Sequence, residues 1–362
     1  MLAQEHVARW LLDRGLLAPG AVLDGDLVIR DASSRNRNFR VESMDGPCYL
    51  LKQGLTLETA ASVAHEASVY QQLSQGGAPL TVHLPRLYGY DPTDGVLVLE
   101  LVRDAQDLRA VHLRTGRFSA GPAALLGAAL GAVHRETRLP APAPSPAGAT
   151  GSLWLHRPDA RVFRDASAAA LELIGVVQGA AGFSEALDRI RGRWRQETLV
   201  HGDVKWDNCL LSLGGDGEER LRLIDWESAF PGDPSWDIGS ALSHYLSFWL
   251  FSIPVTGSVP PERFPELAGH PLDTMKPALA ACWIAYADAR GFSSADSEEE
   301  LLRAVEYAGV RLLQTAFEAA QMMQQLTSAA ILHLQLALNI LQRPEAATTD
   351  LLGLNSARVH AT

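Results

Sequence analysis

The sequence predicts an α+β protein of two lobes, a small antiparallel β lobe and a larger, mainly helical one. Three observations carry the prediction. Five short strand-like runs, separated by turn residues, fall within the first 102 of the 362 residues. After them, apolar residues recur at helical spacing over most of the chain. The exception is a polar loop at residues 201–208, clamped between the apolar runs Leu199-Val200 and Cys209-Leu210-Leu211 and followed by a hairpin. The expected division is residues 1–102, a β-rich lobe with an N-terminal helix, and residues 103–362, a helical lobe.

Composition bounds the function. A hydrophobic content of 47% and a charged content of 20% are those of a globular protein with a substantial core. The formal net charge of −11, without any cluster of Lys and Arg, argues against nucleic acid as a partner and leans towards a cationic acceptor. Cys48, Cys209 and Cys282 are odd in number, scattered and set in apolar runs, so they read as reduced core residues of a cytoplasmic protein. Residues 1–17 spread their charges and hold no apolar signal core, which predicts a surface helix. The most apolar run, 245–255, is too short to cross a bilayer and contains Pro254, so no membrane association is expected.

Taken in order, the first strand is expected at 26–30, a loop at 31–38, the second strand at 39–43, a turn at Asp45-Gly46 and the third strand at 48–53. Alternation puts Cys48, Leu50 and Lys52 on one face of that third strand. A helix follows at 57–72, on which Val63, Glu66, Tyr70 and Leu73 share a face. An unpaired carboxylate on that apolar side is costly, so a cation must meet Glu66, and Lys52 is the candidate. Residues 83–90 and 95–102 read as two more strands around a Pro-Thr-Asp-Gly turn.

In the second lobe, 119–134 reads as a helix with Ser119 as its cap and Pro122 in its first turn. Residues 140–145 read as a Pro- and Ala-rich loop, with helical stretches near 166–177 and 184–194 beyond it. Ser297 with Glu300 suggests a capping box for a helix at 301–317, and a Met and Leu stripe over 322–341 reads as a core helix.

The chemistry concentrates at residues 198–227. The hairpin through Gly214, Gly215 and Gly217 brings Asn208 and Asp225 together, and an Asp, an Asn five residues on and a further Asp form an all-oxygen set suited to Mg²⁺. The run His201-Gly202-Asp203-Val204-Lys205-Trp206-Asp207-Asn208 resembles the catalytic loop of protein kinases, in the H-G-D form of the aminoglycoside phosphotransferase and choline kinase superfamily. Ile224-Asp225-Trp226-Glu227 and Gly232-Asp233-Pro234-Ser235-Trp236-Asp237-Ile238-Gly239 resemble that family's next two blocks, in the right order. The resemblance extends over nearly the whole chain and implies a protein-kinase-like fold.

It also implies roles for single residues. Asp203 would accept or orient the proton of the acceptor hydroxyl, and Asn208 and Asp225 would hold Mg²⁺ on the phosphates of ATP. Tyr49-Leu50-Leu51-Lys52 resembles the kinase strand that lays an apolar residue, here Leu50, on adenine and its lysine on the phosphates, with Glu66 as the partner of that lysine. The segment Glu100, Leu101 and Val102 falls where kinases bind adenine through the backbone. Asp237 and His201 would brace the catalytic loop, and Asp207 and Asp233 would cap loops. The loop at 32–38 stands where the family covers the phosphates with glycines, yet it has none; Ser33, Ser34 and Asn36 would supply side-chain donors instead, with Arg35 or Arg37.

The acceptor is open at this stage. No room for an activation loop exists between Asp225 and Asp237, which suits kinases of small molecules. Lys205, two residues after Asp203, matches a lysine of Ser/Thr protein kinases that contacts the transferred phosphoryl group, so a Ser or Thr of a peptide, including a natural-product precursor peptide, is the alternative. A pseudokinase scaffold is the alternative of another class, suggested by the glycine-free loop and opposed by the full set Lys52, Glu66, Asp203, Asn208 and Asp225. A protein partner that completes the phosphate loop is compatible with either.

Overall fold

The structure is a computed structural model, described here for residues 1–44, 46–141, 143–144, 150–255 and 260–354. It contains two compact units: residues 1–108 together with 207–229, and residues 109–206 together with those from 230 onward.

The first unit is built on a five-stranded antiparallel sheet of β1 (Leu27–Asp31), β2 (Arg37–Ser43), β3 (Tyr49–Gln53), β4 (Leu87–Asp91) and β5 (Val96–Glu100), in the order β1-β2-β3-β5-β4. Its first three strands form the expected meander. The expected turn residue Asp45 lies outside the described residues. The fourth strand begins at Leu87 and not at residue 83, because a short helical turn, Ala78–Thr81, runs up to Val82 and Pro85 follows. Helix α1 (Gln4–Asp13) buries Val7, Trp10 and Leu11, spaced three and four apart, against Phe39, Val41, Leu51, Val96 and Val98 on one face of the sheet.

The opposite face follows from the register: Lys52 stands across from Asn38 and Leu97, and Leu50 across from Arg40 and Leu99. Helix α2 (Leu57–Leu73) packs on the sheet through β3, β4 and β5. It starts where Thr56 accepts a hydrogen bond from the Thr59 amide while the Thr59 hydroxyl accepts one from the Thr56 amide, a reciprocal cap. Val63, Glu66, Tyr70 and Leu73 are all buried, as the periodicity predicts. The unit is completed by the hairpin of Cys209–Leu213 with Glu219–Leu223, whose first strand also pairs with Gln106–Asp107.

The second unit is helical. Helices α3 (Ala120–Glu136) and α4 (Pro234–Phe251) enclose the core with α5 (Lys276–Arg290), α6 (Ser294–Ala320) and α7 (Ser328–Gln342). Glycines let the helix backbones approach: a Cβ on Gly127 would overlap the Cys282 carbonyl, and one on Gly239 would lie 2.6 Å from the Ala304 carbonyl oxygen. Gly239, the last residue of the third motif block, is therefore a packing residue between α4 and α6.

Three expectations are corrected. Ser119 occupies the cap position of α3, but its side chain makes no capping bond. Helix α6 begins four residues before the expected box, capped by the Ser293 hydroxyl on the Asp296 amide, and Glu300 instead accepts from Ser235. Helix α7 begins at Ser328 under a Thr327 cap and not at 322, which leaves Met322 and Met323 exposed and outside the core. The apolar run at 245–255 is the second half of α4, which ends at Phe251. All three cysteines are buried and none forms a disulfide. Among the described residues no single helix is long and apolar enough to cross a membrane.

Candidate active site

In the first unit, Lys52 carries the site. Its position on β3 directs Nζ to the face opposite α1, where it lies 2.7 Å from Oε2 of Glu66 and 2.6 Å from Oδ1 of Asp225. Burial alone pulls the ammonium down, but the two carboxylates outweigh it and hold Lys52 above the ordinary lysine range. Burial pushes the Glu66 carboxyl up against the opposing pull of Lys52. The cation that Glu66 requires on its apolar face is thus Lys52, and the third member of the cluster arrives from the hairpin.

Asp225 adopts a left-handed backbone conformation, φ 68 and ψ 58, which costs a residue with a Cβ roughly 1 kcal/mol or more. Such strain persists only where the surroundings fix it. Here the Ile224 amide donates to the Asn208 carbonyl, which ties Asn208 to the residue preceding Asp225, and the Trp226 indole donates to the Leu223 carbonyl. Glu227, next in the block, accepts from the Ser62 hydroxyl of α2 and from Arg35 in the glycine-free loop. That loop is tied up by its own side chains: the Ser33 hydroxyl accepts from the Asn38 amide, the Ser33 amide donates to Asp31, and the Ser34 amide donates to the Asn36 carbonyl. Arg37 donates to the Leu2 carbonyl and so points away from any phosphate role.

At the end of β5 the Glu100 amide donates to the Arg86 carbonyl and the Leu101 amide to the Cys48 carbonyl, while Val102 is largely buried. Beside this segment lies a cavity of about 620 Å³ lined by Val28, Arg40, Glu42, Leu101, Arg103 and Asp104 among others. Leu50 is half-buried on the same sheet face.

In the second unit, Asp237 at the start of α4 is wholly buried and accepts from the amides of His201 at 2.6 Å and Gly202 at 3.0 Å. Gly202 has φ +80, which explains a glycine in the second position of the H-G-D run. His201 Nδ1 accepts from the Asp203 amide, and the Trp236 indole donates to the Gly202 carbonyl. Four hydrogen bonds thereby fix the loop, two from Asp237, one from Trp236 and one within it. Asp203 receives Lys205 Nζ on Oδ2 at 2.6 Å, and Nη2 of Arg311 lies 3.9 Å from its Oδ1. Asp233 caps α4 through the Ser235 amide and pairs with Arg303 and the Tyr307 hydroxyl in full burial.

Three residues around this loop escaped the sequence reading. His134 bridges Asp237 and Tyr286; burial lowers it despite Asp237, so the neutral ring donates from Nε2 to the carboxylate and accepts at Nδ1. Arg311 is 5% exposed, lies over the Trp236 ring and leaves Nε and Nη1 without acceptors, a costly placement for a guanidinium. His244 on α4 is pushed down to about 3 by burial first and by Arg311 second. Two arginines inside the apolar stripe of α6, Arg303 and Arg311, were the available signal.

Among the described residues no group of three or more His, Cys, Asp or Glu side chains is placed to hold a metal.

A sequence profile described as the phosphotransferase enzyme family matches residues 28–257. Among solved structures the chain is similar to an amicoumacin kinase in complex with AMP-PNP, Ca²⁺ and Ami, at 13% identity over 98% of this chain and 97% of that one, with a TM-score of 0.52. It is also similar to a macrolide 2'-phosphotransferase from Brachybacterium faecium, at 15% identity over 92% and 98% of the two chains with a TM-score of 0.47. A choline/ethanolamine kinase family protein from Mesorhizobium loti matches at 17% identity over 99% and 100%, with a TM-score of 0.46.

Proposed function

The chain belongs to the phosphotransferase enzyme family, and we propose that it moves the γ-phosphate of ATP, with Mg²⁺, to a hydroxyl of a small molecule. The observation that carries this reading is the buried Lys52 held between Glu66 and Asp225, with Asn208 joined to the same turn. An ammonium kept charged by two carboxylates is ready for a polyphosphate, and Asp225 would exchange the lysine for a metal. The amicoumacin kinase of like fold was solved with AMP-PNP and Ca²⁺, a ligand pair of the kind this reading calls for.

Asn208 and Asp225 would hold Mg²⁺, which when bound neutralises charge across the β- and γ-phosphates. Lys52 grips the phosphates from the sheet face, and Glu66 keeps its rotamer fixed. With the Glu100 and Leu101 amides engaged elsewhere, an adenine edge at this segment meets backbone carbonyls and the Val102 amide, and Leu50 lies on the ring. Ser33 and Ser34 serve by holding the shape of the glycine-free loop, and Arg35 is anchored by Glu227. In the second unit, Asp203 orients the acceptor hydroxyl and takes its proton, while Lys205 balances the carboxylate and faces the transferring charge.

The Lys205 to Asp203 contact also favours a second reading, transfer to Ser or Thr of a peptide. The test is thermal shift with MgATP on wild type and Asp225→Asn, followed by release of ADP with hydroxyl-bearing small molecules and Ser/Thr peptides. Stabilisation that needs Mg²⁺ and is lost in Asp225→Asn, with acceptor-dependent turnover lost in Asp203→Ala, is the expected result. Absence of any nucleotide-dependent shift in the wild type would sink the reading and bring the scaffold alternative forward.

A further inference from the structure

The sheet face that carries Lys52 is unusual one row further back. Strand alternation and register put Arg30 directly across from Arg40, and Arg40 directly across from Leu50, all on the face of Lys52. Two arginines directly opposite one another repel and destabilise a sheet. Arg30 is relieved by Glu42, its Nη1 lying 2.8 Å from Oε1. Arg40 is not: it is exposed, and among the described residues its side chain makes no hydrogen bond, ion pair or ring contact. It lines the 620 Å³ cavity that runs to Leu101, Arg103 and Asp104.

The row spacing says what Arg40 meets. Residues two apart on a strand are about 7 Å apart, so the Arg40 and Leu50 row is set back from the Lys52 and Asn38 row by roughly the length of the ribose that separates phosphate from base. A phosphate on Lys52 therefore puts the purine ring beneath Arg40 and Leu50, with its edge towards residues 100–102. A guanidinium is planar, weakly hydrated and suited to stacking on an aromatic face.

Resting on the nucleotide reading of this unit, we propose that Arg40 is the residue that covers the nucleotide base, stacking its guanidinium on the ring beside Leu50.

The experiment is calorimetric titration of MgATP into wild type, Arg40→Ala and Arg40→Phe. Position 40 is exposed, so both variants retain the fold, which circular dichroism checks. Arg40→Ala is expected to weaken binding roughly fivefold, and Arg40→Phe, which restores an aromatic cover without charge, to return within about twofold of wild type. Equal affinity of Arg40→Ala and wild type would overturn the proposal in favour of a solvated arginine. Equal loss in both variants would overturn it in favour of a charge on the phosphates. A wild type that binds no MgATP would instead remove the nucleotide reading itself.

Discussion

Nε2 of His134 lies 3.1 Å from Oδ2 of Asp237, and both side chains are wholly buried. Because Asp237 also accepts the His201 and Gly202 amides, the imidazole sets the carboxylate that sets the loop. His134→Phe removes one donor to Asp237 and takes from the Tyr286 hydroxyl the acceptor of its proton, leaving it the Arg290 contact. We expect a loss of about 1–3 kcal/mol in urea unfolding, with turnover falling while the nucleotide affinity of the other unit is kept. Unchanged stability and turnover would show the bridge to be dispensable.

The Lys52 cluster makes a sharper prediction. Glu66 is 1% exposed at its side chain, so Lys52→Met leaves a buried carboxylate without its cation and should cost about 3–5 kcal/mol. Lys52→Met with Glu66→Leu should recover most of that stability while remaining inactive. Chemical denaturation of the single and double variants measures the coupling, and a double variant no more stable than the single one contradicts it.

Arg311 should show the opposite balance. Its guanidinium is buried with two nitrogens unsatisfied, and burial pushes it below the ordinary arginine range. Arg311→Met removes that strain, so thermal stability should hold or rise, whereas turnover should fall on the order of tenfold through the loss of a charge beside Asp203. Rescue by Arg311→Lys would point to charge as the property that matters.

Stability should also decline in acid along a defined interval. His244 has an ordinary value of 6.5 when unfolded and about 3 when folded, with Arg311 and Lys205 opposing its protonation and Asp203 favouring it. Above 6.5 both states are neutral and the stability is whole; as the pH falls towards 3, the unfolded chain takes up a proton that the folded one refuses. His134, lowered as well, acts in the same direction. Urea midpoints measured from pH 7 to pH 4 should fall, and His244→Gln should flatten the slope.

Close helix packing gives the simplest test. A methyl on Gly127 would collide with the Cys282 carbonyl of α5, a backbone atom that cannot turn aside. Gly127→Ala should therefore destabilise by about 1–3 kcal/mol even though alanine is the better helix former, whereas Gly175→Ala, which has open space, should be neutral or stabilising.

What could be read from the residues alone has a physical pattern. Glu66 is legible because a carboxylate in an apolar helical stripe demands a cation, and Asn208 with Asp225 because a hairpin lies between them. His134 was not legible: it sits in a helix of Ala, Leu and Gly, and its partner Asp237 is 103 residues on. The start of α6 was misplaced at the Ser297 and Glu300 box, whereas the structure uses Ser293 with Asp296, four residues earlier. The earlier cap wins because Gly291 ends α5 in a left-handed turn and leaves only a short link. The exposed Met322 and Met323 show the limit of periodicity, which continued through a cap that the backbone obeys.

The return of residues 207–229 to the N-terminal unit has a consequence during synthesis. When Leu108 leaves the ribosome, Lys52 and Glu66 already have each other, but Asp225 is 117 residues away and Gln106–Asp107 has no strand to pair with. At ordinary elongation rates that gap lasts on the order of ten seconds. Gln106–Asp107 must wait through it without its partner strand, and the second unit's first 98 residues, 109–206, are made before the first unit is finished. The order in which the ribosome delivers the pieces is therefore not the order in which the site is built.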